Sequence, residues 1–171
     1  MKNRIIIKTA ILIAIIVWVI FAIKANANSL SGHIITDDDP VPIEVAIACN
    51  FWGDQYNICP ELLEAIAFHE SRFVADAENG TCKGVMQVNT AAHKKRMKKL
   101  GVDDVFDINS NVMVAADYLA ELFAEYEDVG VVMGIYHGES NAKTRAERGN
   151  LSSYVRKILK TSEEYERAHG K

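Results

Sequence analysis

The chain opens on an unbroken apolar run, Ala10 to Ile23, which has no polar face and follows Lys2, Arg4 and Lys8. Such a segment is too hydrophobic for a water-exposed helix and predicts an N-terminal helix that enters a membrane. Lys24 ends the run, and Ala25-Asn26-Ala27 has the small-residue spacing at which a signal peptidase cuts. The apolar stretch also reaches back to Ile5, about the length that spans a bilayer, so residues 1–27 fit a cleaved signal peptide and a retained transmembrane anchor alike. In both cases the positive flank stays cytoplasmic and the rest of the chain is extracytoplasmic, either secreted or membrane-anchored. Residues 28–42 are polar, with Asp37, Asp38 and Asp39 in succession before Pro40 and Pro42, as an extended linker would be.

From Ile43 the apolar positions recur with helical period, and β-branched runs bounded by hairpin turns are missing. The fold class is therefore all-α, with one small irregular hairpin or loop, over a domain of residues 43–160 and a C-terminal tail of 161–171. The pattern predicts a first helix over about Ile43 to Trp52 and a second from Pro60, with Glu61 favourable in its first turn. A non-helical stretch with two glycines follows, from Arg72 to Asn89. Thr90 caps a third helix through Leu100, closed by Gly101, and Ser110 caps a long fourth helix to about Glu127. Val112, Ala115, Leu119, Leu122 and Tyr126 give that helix a core-facing stripe. A fifth, Val129 to Tyr136, is apolar nearly all round and should be buried. The last begins near Ser153 and frays toward Lys171.

With 171 residues, 49% hydrophobic and 25% charged, the chain has the balance of one globular core. Four of its 19 Lys and Arg lie in the first 24 residues, which leaves 15 against 23 Asp and Glu beyond them. A body this acidic repels phosphates, so nucleic acid is not an expected partner. Three cysteines, Cys49, Cys59 and Cys82, lie in the exported part, where a disulfide is permitted, but the odd number leaves one thiol free or paired between chains. No C-x-x-C spacing suggests zinc, His69-Glu70 lacks the second histidine of a zinc helix, and no phosphate-binding or dinucleotide loop is present. No metal or cofactor is therefore expected. The basic run Lys94 to Lys99 reads as a solvated helix face.

In the second helix, PELLEAIAFHESRF, Leu63, Ile66 and Ala67 stand seven, four and three residues before Glu70, so Glu70 lies on the apolar stripe. A carboxyl desolvated there would hold a proton near neutral pH, as a general acid must. A solvated helix-end glutamate beside Arg72 or His69 is the alternative.

Five segments in order bear on the choice: His-Glu-Ser-Arg-Phe (69–73), Gly-Val-Met-Gln-Val-Asn (84–89), Asp-Ile-Asn (107–109) leading into Ala-Ala-Asp-Tyr-Leu (115–119), Ile-Tyr-His-Gly (135–138) and Tyr-Val-Arg-Lys-Ile-Leu (154–159). Together they resemble the lytic transglycosylases of the soluble-lytic-transglycosylase and goose-type-lysozyme superfamily, over about residues 43–160. The resemblance implies a lysozyme-like helical fold and a peptidoglycan-cleaving enzyme that needs no cofactor. It implies Glu70 as the sole catalytic acid and base, and Tyr136 as the tyrosine whose hydroxyl bonds that carboxyl. It also implies a substrate-binding wall drawn from Ser71, Gly84, Met86, Gln87 and Asn89, with His137 standing where the family has asparagine. Cys59 precedes the catalytic helix and Cys82 precedes the wall, so a disulfide between them would pin the two halves of the cleft. The implied reaction cuts the β-1,4 bond between N-acetylmuramic acid and N-acetylglucosamine and closes a 1,6-anhydro ring. A hydrolytic muramidase of the same fold and a silent glycan-binding module are the alternatives. Partners would be peptidoglycan strands, the membrane through an uncleaved N-terminus, and cell-envelope machinery.

Overall fold

A computed structural model describes residues 40–171; the expected membrane-entering helix and most of the linker lie outside the described residues. Among the described residues no helix is long and apolar enough to cross a membrane. The described residues are mostly helical, with seven helices and one minimal sheet in the order α1 (Ile43–Tyr56), α2 (Pro60–Ser71), β1 (Glu78–Asn79), β2 (Cys82–Lys83), β3 (Val88–Asn89), α3 (Lys94–Leu100), α4 (Ile108–Glu125), α5 (Val129–Tyr136), α6 (Ala142–Glu147) and α7 (Ser153–Ala168).

Helix α2 is the centre of the packing. Glu61 through Ala67 are all buried, with α1 on one side and α7 on another, because apolar residues fill nearly every position of its first two turns. Leu63 and Ile66 meet Val45, Cys49, Val112, Leu119 and Ile158 in one continuous core. Full burial of an aliphatic side chain of this size stabilises by about 1.5–3 kcal/mol, so this core supplies the main driving force. Polar clasps fix the rest: the Trp52 indole N–H donates to Asn109 at 2.9 Å and the Tyr56 hydroxyl to Asp117 at 3.2 Å, tying α1 to α4. Arg96 pairs with Asp117 and Glu121, which ties α3 to the same helix.

The expected hairpin is a three-stranded antiparallel sheet of two-residue strands, ordered β1-β2-β3, with Glu78 opposite Lys83 and Cys82 opposite Asn89. Several helix ends differ from the sequence pattern. Helix α1 runs four residues further than expected, to Tyr56, and closes at Asn57 in the left-handed region. Helix α3 starts at Lys94 because the Thr90 hydroxyl is bound to the Thr81 carbonyl across the sheet instead of capping. Helix α4 starts at Ile108 because Asp107, one turn earlier than expected, accepts from the Ser110 amide at 2.8 Å. Helix α5 matches its expected span, capped by Asp128, which accepts from the Gly130 and Val131 amides.

Helix α6 was not legible in the pattern. It packs on α5 where Gly134 has no side chain; a Cβ there would lie 2.6 Å from the Ala142 Cβ. The C-terminal stretch is no tail: Ser152 caps α7, which continues to Ala168 and buries Thr161, Ser162 and Tyr165. Its end is clamped to the start of α2, where fully buried Glu61 receives His169 at 2.9 Å, Lys171 at 2.7 Å and the Cys59 thiol at 3.0 Å.

Candidate active site

A cleft of about 300 Å³ opens between the end of α2, the small sheet, α4 and the end of α5. Glu70 stands in it, half-buried on the last turn of α2, with Gln87, Val88 and Asn89 on one side and Tyr118, Tyr136 and His137 on the other. Among the residues that line this cleft, Glu70 is the one carboxylate.

The helix places Glu70 and then stops abruptly. Arg72 and Phe73 follow in the left-handed region, at φ 57° and 65°. Non-glycine residues held there cost on the order of 1–3 kcal/mol each, and such strain collects at functional sites. Gln87, across the cleft, is a third case at φ 49°.

Burial raises the proton affinity of Glu70 above the ordinary carboxylate range, against the opposing pull of the Tyr154 hydroxyl and of His137. Tyr154 donates to Glu70 Oε1 at 2.5 Å from the first turn of α7. This corrects the expectation for Tyr136, whose hydroxyl donates instead to the Met86 carbonyl at 2.8 Å. Tyr136 still borders the site: burial, then the nearby Glu70 charge, push its phenol far above the normal range. It lies 6.0 Å from Tyr118, whose ring is 4.4 Å from His93, so three rings form a row along one wall.

The Gly84–Gln87 wall is held from behind. Asn111, fully buried on α4, accepts from the Met86 amide at 2.7 Å and donates to the carbonyls of Lys83 and Val105 at 3.0 and 2.7 Å, which satisfies both ends of its amide. Gly84 makes room for it. At φ +77° any Cβ would be strained, and it would fall 2.2 Å from the Asn111 Nδ2.

Gln87, Asn89 and His137 line the cleft, whereas Ser71, Gly84 and Met86 do not. Ser71 is a clasp: its hydroxyl lies 2.8 Å from the Val85 carbonyl and 3.2 Å from that of Ala67. Met86 is a wholly buried core side chain, and Gly84 faces Asn111, not a ligand. Gln87 turns its amide nitrogen inward to the Ala77 and Gly84 carbonyls, so its carbonyl oxygen is what it can offer a ligand. Asn89 spends its side-chain oxygen on the Ala91 and Ala92 amides.

Residues 48–157 match the family model of the transglycosylase SLT domain. The chain belongs to the SLT-domain family. Its relatives include protein IpgF of Shigella sonnei and of Shigella flexneri, each 33% identical over 104 residues, or 56% of this chain and 68% of theirs. Among solved structures, an inactive mutant of the lytic transglycosylase Slt from Pseudomonas aeruginosa superposes with a TM-score of 0.65 over 75% of this chain, at 16% identity. That likeness is one of fold, and this chain spans 25% of the length of that protein.

In this SLT domain the expected Cys59–Cys82 disulfide is absent, and Cys49, Cys59 and Cys82 are all free thiols. Cys59 caps the start of α2, while Cys82 lines the cleft at its far end. A twelve-residue helix is about 18 Å long, well beyond the roughly 4.4–6.8 Å between the Cα atoms of a disulfide. Burial and the Glu61 carboxylate push the Cys59 thiol up to about 12, and burial raises that of Cys49.

Two side chains that organise the site were not assigned from the sequence. Tyr154 stands in the segment Tyr-Val-Arg-Lys-Ile-Leu (154–159), which by itself assigns it no role; its reach to Glu70 depends on the docking of α7 against α2. Asn111 could have been noticed as a polar residue leading an otherwise apolar helix face.

Proposed function

We propose that this protein is a peptidoglycan lytic transglycosylase that cleaves the β-1,4 bond between N-acetylmuramic acid and N-acetylglucosamine and leaves 1,6-anhydromuramoyl ends. The observation that carries this reading is the single carboxylate in the cleft, raised in proton affinity by burial and held by Tyr154.

Protonated Glu70 donates to the bridging oxygen as the bond to the muramoyl C1 breaks, which releases the N-acetylglucosamine end as an alcohol. The resulting carboxylate takes the proton from the muramoyl C6 hydroxyl while that oxygen closes on C1. Glu70 ends protonated again and no water is consumed. The C6 oxygen belongs to the same sugar as C1, so its attack has the advantage of an intramolecular step. The Tyr154 hydroxyl favours the carboxylate between the two transfers, and the ring row of His93, Tyr118 and Tyr136 offers apolar surface to sugar faces.

A hydrolytic muramidase would need a second carboxylate across the scissile bond to activate water or trap the sugar. Asp76 and Glu78 are exposed and stand outside the cleft lining, and Glu78 is paired with Lys83 at 2.5 Å. A silent glycan-binding module would have no use for a buried acid with a dedicated hydroxyl partner. The substrate places the domain outside the cytoplasm, and the apolar N-terminal run would serve as export signal or anchor.

The test is mass spectrometry of borohydride-treated muropeptides after digestion. Anhydro ends are one water lighter and resist reduction; reducible muramic acid ends would make the enzyme a hydrolase.

A further inference from the structure

His137, where the family motif carries asparagine, caps the end of α5, and its exposed ring lies face to face on Tyr154, with centroids 3.7 Å apart and planes 10° from parallel. Tyr154 in turn holds Glu70 at 2.5 Å. A phenol that reaches across from another helix keeps that bond only while its ring is prevented from swinging, and the imidazole face blocks that motion. We infer that His137 is a positioning residue, which acts through Tyr154 to fix the Glu70 carboxyl and, when protonated, sets a positive charge against it. The inference rests on the transglycosylase reading for its catalytic meaning and deepens it.

Of the groups that act on the Glu70 charge, the imidazole is the one that can carry a positive charge. Glu70 faces it from α2, Tyr154 from α7 and Tyr136 from α5, with Cys82 of the sheet near Tyr136. Glu139, two residues on, is engaged by Arg145 of α6 at 3.8 Å. Histidine is the side chain that gains and loses a proton between about pH 5 and 8, and a cation over a phenol ring is also favourable. A positive charge on His137 favours the Glu70 carboxylate. Asparagine at this position could not supply that charge.

Two substitutions separate the parts. His137→Phe keeps the stack and removes the charge; His137→Ala removes both. Carboxyl NMR of the whole chain, labelled at glutamate and assigned with Glu70→Gln, reads Glu70 directly and does not require cleavage. The Glu70 titration should move up in His137→Phe and further up in His137→Ala. In muropeptide turnover, His137→Ala should lower kcat several-fold with KM little changed, and His137→Phe should recover part of that loss. A Glu70 titration unmoved by His137→Ala would overturn the inference, as would a change confined to KM, which would make His137 a sugar contact. If the wild-type protein cleaves no peptidoglycan, the function proposed above fails, and the titration still decides the role of His137.

Discussion

The Tyr154 hydroxyl and the Glu70 carboxyl meet at 2.5 Å across 84 residues of chain. One comes from the first turn of α7 and the other from the last turn of α2, so the docking of these two helices is itself what assembles the acid.

Removing that hydroxyl isolates its contribution. Tyr154→Phe deletes a bond to a carboxylate, worth roughly 1.5–3 kcal/mol to the charged form, and should raise the Glu70 pKa and lower kcat by about tenfold or more. Tyr136→Phe releases the Met86 carbonyl instead, a neutral bond worth about 0.5–1.5 kcal/mol. It should therefore cost stability in a thermal melt without shifting the Glu70 titration. An equal shift in both variants would show that the two tyrosines share one role.

Glu70→Gln is nearly isosteric and removes the one carboxylate among the described residues that line the cleft. Zymogram clearing should fall by at least about 100-fold while the melting temperature holds or rises. The pH dependence has a definite sign. Because Glu70 is raised above 4.5, acid catalysis should be lost as pH rises through its folded pKa. The same shift makes its contribution to stability fully present below pH 4.5 and lost over that rise, so Glu70→Gln should flatten this part of the stability curve.

Glu61 behaves oppositely. Burial alone would raise it, but the Cys59 thiol, Lys171 and His169 overcome that and lower it from 4.5 to about 2. Its stabilisation is present above pH 4.5 and lost as pH falls toward about 2. Glu61→Gln should melt earlier than wild type near neutral pH, with the difference vanishing in strong acid, as measured by circular dichroism.

Gly84→Ala puts a Cβ into Asn111 and strains the backbone, so about 2 kcal/mol or more should be lost in urea unfolding. Asn111→Ala makes room but orphans the Met86 amide, and it should not rescue the loss.

Peptide mapping without reductant should find no bridge between Cys59 and Cys82. Three thiols should react per denatured chain, with Cys59 slow in the native protein because so little thiolate is present.

The parts of this fold set by local pattern were legible. Helices α2, α4 and α5 announce themselves through apolar spacing, and Glu70 through the stripe it shares with Leu63, Ile66 and Ala67, whereas the caps at Asp107, Asp128 and Ser152 and the full length of α7 do not. What escaped depends on distant partners. Thr90 looked like a cap because nothing local showed that Thr81 would claim its hydroxyl. The family resemblance points to Tyr136 as the partner of Glu70; Tyr154, equally part of a motif, reaches the carboxyl through helix packing that spacing does not encode. Ser71 and Met86 were counted among the substrate contacts because motif neighbours of a catalytic residue look alike in sequence, whether they face the cleft or support it from behind. The disulfide expectation failed for a similar reason: Cys59 precedes the helix that carries Glu70 and Cys82 precedes the Gly84–Gln87 wall, but Cys59 stands at the start of that helix and the wall meets its end.

The clasping of the Gly84–Gln87 wall also bears on the thermodynamics of recognition. Asn111, Ser71 and Tyr136 satisfy the Met86 amide, the Val85 carbonyl and the Met86 carbonyl before any glycan arrives. The loop surrenders its freedom during folding, so little ordering of the protein remains to oppose association. If the proposed function holds, a sugar chain would meet a rigid template, and calorimetric entropy should reflect immobilisation of the saccharide and release of water, not closure of the protein. Muropeptides with bulkier substituents would then be rejected by steric conflict, because the wall has no spare conformations with which to accommodate them.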